Sequence, residues 1–223
     1  SFYLAYKHKI RPPSLPFTLN SAVDNLCKNE FDHYRAKAEP HPMFLEHGID
    51  AVPFAHQKMD EWRNNFKGIR HIDEEAGYNF GGAVDDIWEK PNGDLIVIDV
   101  KSTSKNVFDW EDTYSKWEYA KGYRRQLEMY QWLLEKNGFN VASEGYLVYY
   151  NGKKHEPMFN QQLTFDLHLV KLECDNSWVE EAVLSAKATL DGDMPKPSKS
   201  CDNCNYLRKR WEVSQKDSGK LIG

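Results

Sequence analysis

The sequence predicts an α/β protein, a mixed central β-sheet flanked by helices, and three observations predict it. Short apolar, β-branched runs such as Leu95-Ile-Val-Ile-Asp-Val100 have the length and composition of buried strands. Long stretches of helical period separate such runs, most clearly residues 114–137. The chain has 223 residues, 40% of them hydrophobic, which is enough for one domain with a sizeable core and at most a small appendage.

Taken in order, residues 1–17 contain Pro12, Pro13 and Pro16 and read as an extended lead-in. Thr18 can cap a helix in which Leu19, Val23, Leu26, Cys27 and Tyr34 recur at helical spacing. A second helix is expected over residues 53–66, with Pro53 in its first turn and Gly68 beyond its end. Residues 69–73 and 78–89 read as two strands, and 95–100 as a third, buried one. Between the last two lies Pro91-Asn92-Gly93. Proline presets the first turn position, asparagine suits the second, and glycine takes the left-handed position. This predicts a hairpin with a three-residue loop in which Lys90 faces Asp94. Gly138 ends the long helix, and residues 141–150 form the next strand. Leu163, Phe165, Leu167 and Leu169 alternate as on a strand with one wet face. Asn176 can cap a helix to about Leu190. Residues 18–192 therefore form the main domain, and residues 193–223 a tail holding a Cys-x-x-Cys pair and a basic end.

The net charge of −5 excludes a protein that coats nucleic acid, although local basic clusters can still hold phosphates. Lys121, Arg124 and Arg125, with Lys116, form one such cluster. No run approaches the roughly 18 apolar residues of a membrane span. No basic-then-apolar leader opens the sequence, so the expected location is the cytoplasm. Four cysteines in that compartment would stay reduced.

The hairpin register carries the chemistry. With Lys90 facing Asp94, Asp85 lies opposite Asp99, their Cβ atoms about 4.5–5.5 Å apart. Lys101 lies two residues further along and points to the same side. Two carboxylates so close repel unless a divalent cation joins them, and carboxylate oxygens are preferred ligands of Mg²⁺ and Mn²⁺. A lysine beside such an ion can orient the attacking water and offset phosphate charge, which points to phosphodiester hydrolysis. A two-residue turn would instead place Asp86 opposite Asp99. That register puts Pro91 in a closing pair that wants a backbone N–H, so Asp86 is the substitute ligand only.

Three stretches in this order, Gly82-Ala-Val-Asp85-Asp-Ile, Ile98-Asp99-Val-Lys101-Ser-Thr-Ser and Gln126-Leu-Glu-Met-Tyr130, resemble the RecB-like branch of the PD-(D/E)XK nucleases. That branch includes lambda-type exonucleases and CRISPR-associated adaptation nucleases. The resemblance covers roughly His56 to Tyr130. It implies a restriction-endonuclease-like core across residues 18–192 and a metal-dependent (exo)nuclease acting on DNA, single-stranded or at duplex ends. It implies Asp85, Asp99 and the Val100 carbonyl as metal ligands, Lys101 as the catalytic lysine, and Gln126 and Tyr130 on the helix face over the site. It also implies an early-helix histidine ligand. His56 is the candidate, with Val52 where the family has glycine, and His71 is the fallback.

Some members of the branch hold an iron–sulfur cluster through one early and three late cysteines. Cys27, Cys201 and Cys204 match three of those positions, but no cysteine follows Cys204. The missing thiolate argues against a cluster and leaves a remnant or a zinc site. Phe108, Trp110, Tyr114, Trp117, Tyr119 and Tyr123 interleave with basic residues and could stack unpaired bases. The competing reading is a catalytically silent nucleic-acid-binding or partner module on the same fold, for which buried like charges bring no gain.

Overall fold

The structure is a computed structural model that describes residues 2–12 and 18–218. In chain order its elements are α1 (Phe2–Lys7), α2 (Thr18–Arg35), α3 (Pro42–Glu46), β1 (Val52–Pro53), α4 (Met59–Trp62), β2 (Ile69–Asp73), β3 (Tyr78–Gly82), β4 (Asp86–Glu89) and β5 (Leu95–Thr103). There follow α5 (Trp110–Lys116), α6 (Glu118–Lys136), β6 (Val141–Gly152), β7 (Phe165–Glu173), α7 (Val179–Asp191) and α8 (Asp202–Ser218). The chain divides into two compact units: Phe17–Glu180, and a second made of Ser1–Pro16 with Glu181–Gly223.

The larger unit is the α/β fold that the sequence predicts. Its main sheet has the order β1-β4-β5-β6-β7. The pair β5/β6 is parallel and the other pairs are antiparallel, so the sheet is mixed. The parallel pair needs a crossover, and α5 with α6 supplies it. One face of the sheet, formed by Trp88, Ile96, Ile98, Val100, Tyr146 and Val148, packs on Cys27 and Phe31 of α2 and Met43 and Phe44 of α3. Residues of opposite parity, including Asp99, Lys101 and Tyr149, point to the other face.

The hairpin has the expected register. Lys90 N–H donates to the Asp94 carbonyl at 3.0 Å, Gly93 takes φ +85°, and the ladder pairs Glu89 with Leu95 through to Asp86 with Ile98. The structure departs from the sequence reading elsewhere, and each departure has a local cause. The stretch 78–89 is two strands, because the chain bends at Ala83–Asp85 and β3 pairs with β2 in a separate two-stranded sheet. Residues 114–137 are not one helix: Trp117, at φ −121° and ψ 118°, breaks it into α5 and α6. Of residues 53–66 only Met59–Trp62 is helical, and Pro53 pairs with Trp88 as an edge strand. Phe2–Lys7 is helical rather than extended, while residues 13–17 lie outside the described residues. In α2 the buried stripe is Val23, Cys27 and Phe31, and Leu19 and Leu26 face outward.

In the smaller unit, Tyr3 Oη donates to the Gly192 carbonyl and Lys7 Nζ to the Leu190 carbonyl. Among the described residues no helix is long and apolar enough to cross a membrane.

Candidate active site

Strand β5 leaves the core at its C-terminal end, and there the hydrophobic run gives way to Asp99 and Lys101. One step past the last regular β4/β5 pair, Asp85 reaches β5 through its side chain: its Oδ2 accepts the Val100 N–H at 2.8 Å. Asp99 is 1% exposed, and Lys101 Nζ contacts its Oδ2. That oxygen has no hydrogen bond of good geometry. Lys101 Nζ also lies 4.6 Å from the centre of the Tyr123 ring, a cation–π contact. Asp85, Asp99 and Lys101 thus converge as the register implied.

Burial pushes the Asp99 carboxyl up to about 7, with Lys101 opposing the rise and the Asp85 carboxylate adding to it. The unfolded chain ionises this group near 3.8 and the folded chain near 7, so between those values the unfolded state holds fewer protons. Through this one residue, stability falls as pH rises across that window. Asp99→Asn removes the penalty. In EDTA, the variant is expected to gain stability relative to the parent as pH goes from about 5 to about 8, measured by denaturant unfolding at each pH. A constant difference between the two would contradict the buried, strained carboxylate.

Helix α6 covers the site with a stripe at helical spacing: Tyr119, Tyr123, Gln126 and Tyr130. Gln126 Nε2 donates to Tyr130 Oη at 2.7 Å. Burial pushes the Tyr130 phenol upward, and Asp99 and Asp85 add to that shift. The Tyr130 ring lies against Gly82, where an added Cβ would come within 2.5 Å of it. This explains a glycine at the end of β3. Gln126 and Tyr130 therefore belong to the same side of the molecule as the carboxylates.

Other expectations are not met. His56 lies in the loop before α4, not on a helix. Its ring stacks on Trp62 at 4.3 Å and meets Phe139 edge-on, and its Nδ1 accepts the Lys58 N–H. His71, on β2, packs edge-on against Trp132 and Tyr78. Among the described residues no three His, Cys, Asp or Glu side chains gather to hold a metal ion, so neither histidine joins Asp85 and Asp99. Cys27 points into the core under α2, where its Sγ meets Tyr150 Oη at 3.5 Å. Burial pushes its thiol up to about 12, the opposite of a thiolate ligand.

The basic cluster divides. Arg124 is a brace: it pairs with the buried Glu128 at 3.0 Å and donates to the Glu173 carbonyl at 2.7 Å. Lys121 and Arg125 share Glu118 at the start of α6. Asp86, the substitute ligand, faces away from Asp99. It is fully buried between Arg35 and Arg63, 2.5 Å from each.

Two residues at the site escaped the sequence reading. Lys28 Nζ lies 2.7 Å from Asp24 and 3.5 Å from Asp85. Its signal is the Asp24/Lys28 spacing of four on α2, which equally marks an ordinary ion pair on a helix surface. Tyr149 pairs with Lys101 across the β5/β6 ladder and is buried on the same face. Nothing in an apolar strand run marks such a tyrosine in advance.

The donor set suits a hard divalent cation. Asp99 offers a buried oxygen with no proper hydrogen bond, and Asp85 offers Oδ1, which lies 3.5 Å from Lys28 Nζ. Both oxygens face ammonium groups, the partners that a metal ion would replace.

No curated protein matches the chain. Among solved structures, the crystal structure of SSO0001 is similar at 20% identity, with a TM-score of 0.30. The match covers 53% of this chain and 44% of that one, so it spans less than half of that protein. Residues 4–208 match the family model of the PD-(D/E)XK nuclease superfamily. With a mixed α/β core and that match over most of its length, the chain belongs to the PD-(D/E)XK nuclease superfamily of metal-dependent nucleases.

Proposed function

We propose that the chain hydrolyses phosphodiester bonds of DNA, at ends or on single strands, with Mg²⁺ or Mn²⁺ as cofactor, and that it sits in the RecB-like branch of its superfamily. The observation that carries this reading is the convergence of Asp85, Asp99 and Lys101 at one end of β5. Asp85, Asp99 and the Val100 carbonyl would hold the ion. When bound, the ion supplies a polarised phosphoryl oxygen and an acidified water.

The chain's own residues do the rest. The Val100 N–H fixes the Asp85 carboxylate so that its second oxygen stays turned outward. The core on both sides of Asp99 excludes water and keeps the carboxylate oxygens aimed. Lys101 sets a cation where charge develops on the attacked phosphate, and the Tyr123 ring limits where its flexible stem can carry that charge. Gln126 and Tyr130 close the site from α6.

The test is a cleavage panel of single-stranded DNA, duplex DNA and RNA with Mg²⁺ and with Mn²⁺, beside Asp99→Asn. The expected outcome is ion-dependent DNA cleavage that EDTA stops and that the variant reduces to background. DNA that is bound but never cut with either ion, equally by parent and variant, would establish a silent binding module instead.

A further inference from the structure

A short line of aromatic rings leads away from Lys101. Tyr123 lies under its ammonium, Tyr119 is 5.7 Å from Tyr123, and Trp117 is 6.1 Å from Tyr119, all between ring centroids. The outer two are unusually exposed for such large rings, Trp117 at 54% and Tyr119 at 46%. The break at Trp117 is what presents them: its extended backbone lets the chain start a new helix and leaves the indole outside both α5 and α6. About half of the surface of each outer ring stays outside the packed interior, and it adjoins the site.

From this geometry we infer that Trp117 and Tyr119 are specificity-determining residues. They stack two unpaired bases of a DNA strand whose phosphate lies at Lys101. The inference rests on the nuclease reading of the cluster and adds the substrate form. Two observations favour an unpaired strand over a protein partner or a duplex. The rings are contiguous with Lys101, so a strand held there by its phosphate passes over them. The whole chain carries −5, so long-range phosphate attraction is weak and local contacts must supply affinity. Stacking does so with any base, because every base has a π-face, but only when that base is out of the duplex.

Binding is measured in EDTA, without turnover, by fluorescence anisotropy on labelled oligothymidine, an abasic strand of equal length, an RNA strand and a duplex. The parent is expected to prefer the base-bearing single strands. Trp117→Ala with Tyr119→Ala is expected to weaken them about 10- to 100-fold and leave the abasic strand unchanged. Trp117→Phe with Tyr119→Phe is expected to restore most of the loss, since stacking needs a ring and not a hydroxyl. Both residues are exposed, so an unchanged melting curve confirms folding. Equal loss on abasic and base-bearing strands, no loss at all, or a parent that does not bind single strands would overturn the inference, and so would a stronger preference for RNA than for DNA. Loss of binding in a protein that cuts nothing would refute the nuclease reading and keep this one. Lys101-dependent cleavage with unchanged strand affinity would do the reverse.

Discussion

Lys101→Ala is expected to lower kcat for DNA cleavage by about 10²–10³-fold, with KM changing far less. The lysine touches Asp99 and Tyr123 at the reacting end of the strand, and stacking on the outer rings, not this single phosphate contact, carries most of the ground-state affinity. Its charge matters most when negative charge builds on the phosphate, so the loss should fall on kcat. Lys101→Arg should not restore the rate, because a planar, bulkier guanidinium cannot occupy the slot between the Asp99 carboxylate and the Tyr123 ring. The substitution should not unfold the protein. Asp99 has its carboxyl pushed up to about 7 even with the lysine present, so without it the carboxyl can take a proton and stay buried. Steady-state kinetics on one oligonucleotide, with melting curves alongside, check both halves. A variant that cuts at the parent rate would remove Lys101 from the chemistry.

The expectation for Lys101 was legible because it depends on local rules. A Pro-Asn-Gly loop fixes a register, a register fixes parity, and parity puts Asp85, Asp99 and Lys101 together. The strands β2 and β5 were equally legible from composition. Features decided by tertiary contacts were not. Nothing in the helical period of residues 114–137 announces that Trp117 will turn extended, since its neighbours on both sides are good helix formers. The bend at Ala83–Asp85 exists because β3 pairs with β2 and β4 with β5, a choice made between sheets. The family resemblance implied a helical ligand at His56, whereas the adjacent Trp62 and Phe139 offered its ring a stacking site. Arg124 looked like a phosphate contact, whereas Glu128, buried four residues later on the same helix, required a cation.

Adjacent acids with opposite fates give the second large effect. Asp86→Ala is expected to destabilise the fold by about 3–5 kcal/mol. The Asp86 carboxylate is 0% exposed, accepts the Ile87 N–H at 2.6 Å, and sits between Arg35 and Arg63, which also share Asp32. Arg35 further donates to the Phe54 carbonyl, so the network ties α2, the start of β4 and the segment after β1 together. Removing Asp86 leaves two largely buried guanidiniums facing each other with Asp32 alone, and arginine cannot escape by losing a proton. For a chain of this size the loss corresponds to a fall in Tm of roughly 6–20 °C. At a temperature where the variant is folded, its cleavage rate should stay within a few-fold of the parent, because Asp86 faces α2 and not Lys101. Asp85→Asn should do the opposite. It keeps a side-chain oxygen for the Val100 N–H and nearly the parent Tm, but loses cleavage with the metal-ligand charge. One residue of displacement at the start of β4 thus separates a stability phenotype from a catalytic one, as alternation of side chains along the extended chain requires. If Asp86→Ala abolished cleavage without lowering Tm, the two acids would have exchanged roles and the hairpin register would be wrong.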